Sequence, residues 1–297
     1  MKKIIKIALI GIVVIGIIFA IFRFKKRIPY NGTKDVIATT DFEKNIQAQV
    51  NSKIKDNSYE GARSAFDSIM NVIKTEASIT LSDDSRNLSA IEEENCKQIA
   101  FAAYAPIFTE YGNEYFFNES WNDNTLNSLK KDAETLLVMN IAEYGTDVYK
   151  QLRKIIDVVD KYYNAKGVIS RASRCTEVDD IARLKKEANS YLQEPLTNNT
   201  SLAASLRLVE KTAKSSVVQS IAANGSRVAN NYSRYSDYAV FSREYNNAIQ
   251  RINDYENAYR KNSKLSATRQ VLHNADNYAL QYFAEKEKQL SGRESSY

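Results

Sequence analysis

The sequence predicts an all-α protein: a single N-terminal transmembrane helix followed by an elongated helical bundle with a coiled-coil-like C-terminal hairpin. Three observations predict it. The 297 residues include only 9 Gly and 3 Pro, the residues that most often interrupt helices. Apolar side chains recur every three or four residues along most of the chain, the period of one helix face. Residues 4–22 form an apolar run of 19 residues broken only by Lys6, and about 20 apolar residues suffice to cross a bilayer.

Residues 1–27 read as the membrane anchor with basic flanks. They carry seven cations and no acid. Lys6 lies within a turn of the start, so its ammonium can reach the headgroups. A cleaved signal peptide has a shorter apolar region, about 7–15 residues, ending in small residues. Here the run ends in Phe22, Arg23, Phe24 and Lys25. The expectation is a single-pass protein of a bacterial-type inner or plasma membrane. A short basic N-terminus favours the inside and places the rest of the chain outside the cytoplasm, although charge is nearly balanced across the run.

Residues 28–39, with Pro29, Asn31 and Gly32, read as a tether, and residues 40–297 as an all-helical soluble domain with a subdivision near 166–176. Thr40 and Glu43 have the spacing of a capping box. Phe42, Ile46, Val50 and Ile54 follow on one face. Ala62, Phe66, Ile69 and Ile73 mark the next helix, and residues 81–87 read as a polar loop. Phe101, Tyr104, Phe108, Tyr111 and Tyr115 form an aromatic stripe, interrupted by Pro106, which predicts a kink or a restart. The longest helix is expected from Leu126 to about Ala165, with Leu137, Ile141, Tyr144, Val148, Ile155, Val158 and Tyr162 inward and Gly167 as terminator. A helix over 177–194 ends at Pro195. Another begins near Thr200, buries Leu202, Leu206, Val209, Ala213, Val217 and Ile221, and stops at Gly225. Tyr238, Tyr245, Ile252 and Tyr259 lie seven apart, with Phe241, Ala248 and Tyr255 between them, a heptad pattern. Leu265, Thr268, Leu272, Ala275, Ala279 and Tyr282 continue it. No tandem array is present, since self-similarity at a fixed period is lacking.

The net charge of +5 is concentrated at the anchor. Beyond residue 27 there are 34 cations and 36 anions, so the basic balance is no argument for nucleic acid, and none is expected as a partner. Residues 28–145 carry 10 cations and 19 anions, and residues 146–297 carry 24 and 17. The ordinary reading is solvated helix faces of differing composition.

The inventory for catalysis is thin. His273 is the sole histidine, which rules out the common His-rich metal sites. There is no Gly-rich phosphate loop and no nucleophile elbow. Glu92, Glu93 and Glu94 suit a helix N-terminus. Cys96 and Cys175 fit no metal or redox spacing and read either as one disulfide or as two buried thiols. No catalytic, metal or cofactor-binding residue is assigned, and no enzymatic activity is expected.

The aromatic content is the most suggestive feature. Of 19 Tyr, 13 lie beyond residue 145. Tyr at heptad spacing packs between helices with its hydroxyl at the edge. Phe116, Phe117 and Trp121 fall outside any periodic stripe and are expected on an exposed contact surface. Tyr232, Arg234 and Tyr235 lie in the densest mixture of Tyr and Arg, types enriched where proteins meet. Together these six form the candidate partner or ligand surface. The expected function is a membrane-tethered, non-enzymatic helical interaction module, held in the bilayer by residues 4–22, that binds a protein partner or another copy. The alternatives are a module binding an envelope glycan through Tyr and Trp, and an enzyme with carboxylates from distant helices.

Overall fold

A computed structural model describes residues 38–54, 58–79, 89–138 and 146–294. The described residues form ten α-helices and two short 3₁₀ turns, with no strand. The expected membrane segment, 4–22, and nearly all of the tether lie outside the described residues. Among the described residues no helix is long and apolar enough to cross a membrane.

The chain divides into two compact units, Met1–Asn113 with Ser128–Ile156, and Glu114–Asn127 with Asp157–Tyr297. The subdivision expected near 166–176 therefore falls inside the second unit.

In the first unit, α1 (Asp41–Lys53) begins at the expected capping box: the Thr40 hydroxyl accepts from the Glu43 amide and the Glu43 carboxylate answers at the Thr40 amide. Ile46, Val50 and Ile54 are buried. Helix α2 (Tyr59–Ile79) packs on α1 and buries Ala62, Phe66, Ile69 and Ile73. Helix α3 (Ala90–Tyr115) carries the aromatic stripe. Tyr59 stacks on Tyr111 with ring centroids 3.9 Å apart, and Phe66 stacks on Tyr104 at 4.5 Å. The pairing order runs in opposite senses along the two helices, so they are antiparallel. Pro106 sits within α3 without ending it, so of the expected kink or restart the restart does not occur. Asp132 of α4 (Asp123–Val138) closes this core: Arg63 grips its two carboxylate oxygens at 3.0 Å, and the Tyr59 hydroxyl donates to it at 3.1 Å.

The single helix expected from Leu126 to Ala165 is instead two, α4 and α5 (Asp147–Ala172). Ile141 and Tyr144 lie outside the described residues. The second helix has its own start, where the Thr146 hydroxyl accepts from the Tyr149 amide at 3.3 Å, an N-cap that a purely apolar pattern does not reveal. Gly167 lies inside α5 and terminates nothing.

In the second unit, α6 (Val178–Ser190), α7 (Thr200–Arg207) and α8 (Val209–Asn230) follow α5. The helix expected from Thr200 is broken at Leu208, yet all six predicted inward residues are buried. Helix α8 packs against α6, α9 (Tyr238–Tyr259) and α10 (Ser263–Glu294). Gly225 does not end α8. It lies within it because α10 passes so close that an added Cβ would meet the Thr268 methyl at 2.5 Å. The α9–α10 hairpin keeps the heptad logic: the two helices pack together, and Phe241, Ala248, Ile252 and Tyr255 of one and Leu265, Leu272 and Ala279 of the other are buried. Tyr238 and Tyr245 lie at the edge, their hydroxyls bonded to Asp276 at 2.9 Å and to the His273 Nδ1 at 2.6 Å. Phe283, rather than Tyr282, takes the last buried position. Arg260 turns the chain between them at φ 85°, a conformation that favours glycine.

Candidate functional site

The six residues singled out by composition fall in two neighbourhoods of the second unit. The first follows α3. Phe117 and Asn118 close a turn by donating their amides to the carbonyls of Glu114 and Tyr115, both at 3.1 Å. That turn reverses the chain and drives Phe116 and Trp121 inward. Phe116 is 3% exposed and Trp121 8%, so the expected exposed surface is corrected for both. The two rings lie 5.3 Å apart, and Trp121 lies 5.6 Å from Tyr162 of α5. The indole N–H is bonded to the Asn118 carbonyl at 2.9 Å. Phe117 alone of the three faces solvent, 72% exposed.

Polar groups fix this loop on both sides. Asn198 donates to the Phe116 carbonyl at 3.0 Å, and the Thr200 amide donates to the Glu119 carbonyl at 3.1 Å. Asp123, the first residue of α4, accepts from the Tyr162 hydroxyl at 2.9 Å and pairs with the Lys166 ammonium at 2.7 Å. The hydrogen bonds from Lys166 and Tyr162 hold the Asp123 carboxyl below its usual range, and the bond to Asp123 raises Lys166 in turn. Burial, reinforced by the bond to Asp123, pushes Tyr162 up.

Beside Trp121 lies an open groove of about 630 Å³. Helix α5 contributes Tyr162, Lys166, Ile169, Ser170 and Ser173, a single face by spacing. Helix α7 adds Ser201, Leu202 and Ser205, and Thr212 of α8 and Ser120 complete the wall. Sequence reading missed this groove. Its signal is a row of small hydroxyl residues at helical spacing, which a hydropathy pattern treats as an ordinary polar face.

The second neighbourhood is the 3₁₀ turn Tyr232–Arg234 between α8 and α9. Tyr232 meets Tyr282 of α10 edge-on at 6.0 Å, and Tyr235 meets Phe241 at 5.7 Å. Both are half-buried, and Arg234 is exposed. The two tyrosines therefore clamp the turn to the hairpin. Nearby, α10 leaves large apolar side chains uncovered: Val271 is 45% exposed, Tyr278 60% and Tyr282 37%.

Cys96 and Cys175 are free thiols and both are buried. Burial, with the charge of Glu43 nearby, pushes the Cys96 thiol up to about 12. His273 is exposed, beside Tyr245. Among the described residues no group of three His, Cys, Asp or Glu is placed to hold a metal ion.

The fold defines an all-helical bundle protein. Compared with protein-family models, with curated proteins and with solved structures, the chain matches none.

Proposed function

We propose that the protein is a membrane-tethered, non-enzymatic helical interaction module that presents one face of α10 to a second copy of itself. The observation that carries this reading is the row Val271, Tyr278 and Tyr282, spaced seven and four apart and all exposed, which puts three large apolar groups on one helix face. Large exposed apolar groups that line up are the usual mark of an interaction surface.

The choice of a second copy follows from charge. From Gln270 to Tyr282 the helix carries one formally charged residue, Asp276, whose carboxylate already accepts from Tyr238. The other polar residues around the row include Gln270, Asn274, Asn277 and Gln281, whose amides both donate and accept. Such a rim pairs with its own copy without like-charge repulsion and offers nothing to a strongly charged partner. Tethering supports the same reading, because two copies confined to one membrane meet at high effective concentration. The tether itself rests on the apolar run at 4–22.

Two measurements test it. Alkaline carbonate washing of membranes leaves the full chain in the pellet, and release into the supernatant refutes the anchor. Sedimentation equilibrium of the full chain in detergent gives a dimer, which Tyr278→Lys converts to a monomer with its helical circular dichroism intact. A wild-type monomer refutes the α10 surface.

A further inference from the structure

We infer that the groove between α5, α7 and α8 is a binding site for an uncharged saccharide. Three features of its lining point to that class of ligand. The first is unspent hydroxyls. Serine and threonine within helices commonly bond back to a carbonyl one turn earlier, as Thr75, Thr135 and Thr268 do here. The side chains of Ser120, Ser201, Ser205 and Thr212 make no hydrogen bond among the described residues, and all four line the groove. Each offers a donor and an acceptor. The Ser170 oxygen accepts from Arg174 at 2.6 Å and keeps its own proton to give.

The second feature is charge. Lys166 is the single charged residue in the lining, and its ammonium is held by Asp123 at 2.7 Å. An anionic ligand would have to compete with that carboxylate, and a cationic one finds no acid in the wall. The third feature is the apolar part of the wall, formed by Trp121, Ile169 and Leu202. The Trp121 N–H is already bonded to Asn118, so the indole brings only its ring to the groove. A neutral ligand with many hydroxyls and a C–H face matches this lining. The volume of about 630 Å³ lies within the range of small-molecule sites, about 300–1,000 Å³. This inference does not rest on self-association through α10.

Trp121 is the only tryptophan in the chain, so intrinsic tryptophan emission reports from this groove alone. The full chain in amine-oxide micelles, free of sugar headgroups, is titrated with maltohexaose, with chitohexaose and with a sulfated heparin hexasaccharide. The inference expects a saturable change in emission with at least one neutral hexamer and none with the sulfated one. The Ser201→Tyr substitution, at an exposed position, narrows the groove, and is expected to weaken that response at least tenfold with circular dichroism unchanged. Should Ser201→Tyr unfold the chain, Ser120→Ala removes a hydroxyl from the lining instead, with a weaker response as the expected result. An unchanged emission with both neutral hexamers overturns the inference. So does a response to the sulfated sugar alone, or one that a folded variant leaves undiminished.

Discussion

Replacing Glu43 by Gln tests how a single buried carboxylate secures the start of the described chain. Glu43 is 1% exposed. One of its oxygens accepts from the Thr39 amide at 2.6 Å, the Thr39 hydroxyl at 2.9 Å and the Thr40 amide at 3.1 Å, and the other from the Asn95 side chain at 2.8 Å. Burial opposes its charge, but the bonds from Asn95, Thr39 and Thr40 outweigh that and hold the carboxyl down to about 2, against an ordinary 4.5. A folded-state pKa below the unfolded one gives stability that is present above the unfolded value and is lost as pH falls through the folded one. At 1.36 kcal/mol per unit, that gap has a ceiling of about 3 kcal/mol, and solvent screening at a helix terminus reduces it to about 2 kcal/mol. Native-state hydrogen exchange at the amides of Ile46 and Val50 reads this locally. Glu43→Gln should lower their opening free energy by about 2 kcal/mol at pH 7, and the gap to wild type should shrink below about 1 kcal/mol near pH 3, where the wild-type carboxylate begins to protonate. A gap independent of pH between 7 and 3, or one below about 0.5 kcal/mol throughout, refutes the reasoning.

The two helical glycines should respond in opposite directions. Gly225→Ala forces a methyl against Thr268 and Leu272, with an expected loss of about 1–3 kcal/mol in denaturant titration followed by Trp121 emission. Gly167→Ala meets nothing within 4 Å and should stabilise its helix by about 0.5–1 kcal/mol. The adjacent phenylalanines should also separate: Phe116→Ala costs about 3–5 kcal/mol, whereas Phe117→Ser at its exposed position stays within about 0.5 kcal/mol in the same assay. Finally, Cys96 and Cys175 should resist an aromatic disulfide reagent at pH 8 in the folded protein and react promptly in guanidinium, because burial raises both thiols and the thiolate is the reactive form.

Much of the fold is legible in the residues. The capping box at Thr40 and Glu43, the aromatic stripe of α3 and the heptads of α9 and α10 all rest on local spacing, and local spacing is what periodicity reads. Tertiary effects were not legible. Gly225 looks like a helix end because glycine often stands there, yet it is interior because a neighbouring helix needs the room. Thr146 starts a helix within a stretch whose apolar period continues without a break. Phe116 and Trp121 lack a period because they sit on a turn, and a turn can bury a ring as well as expose it. The groove beside Trp121 is assembled from residues up to 92 positions apart, none of which stands out alone. The apolar row of α10 lies beside the buried stripe, so its sequence reads as more core, and only the packing of α8 and α9 decides which residues stay uncovered.

The α10 surface is tested most directly by oxidative cross-linking of a Tyr278→Cys variant in intact membranes. Both native cysteines are buried and make a quiet background. Two copies paired through α10 should trap a covalent dimer at position 278, whereas a cysteine placed on the opposite side at the exposed Glu287, nine positions on and so half a turn round the helix, should not. Equal trapping at both positions, or none at 278, would contradict self-association through this face.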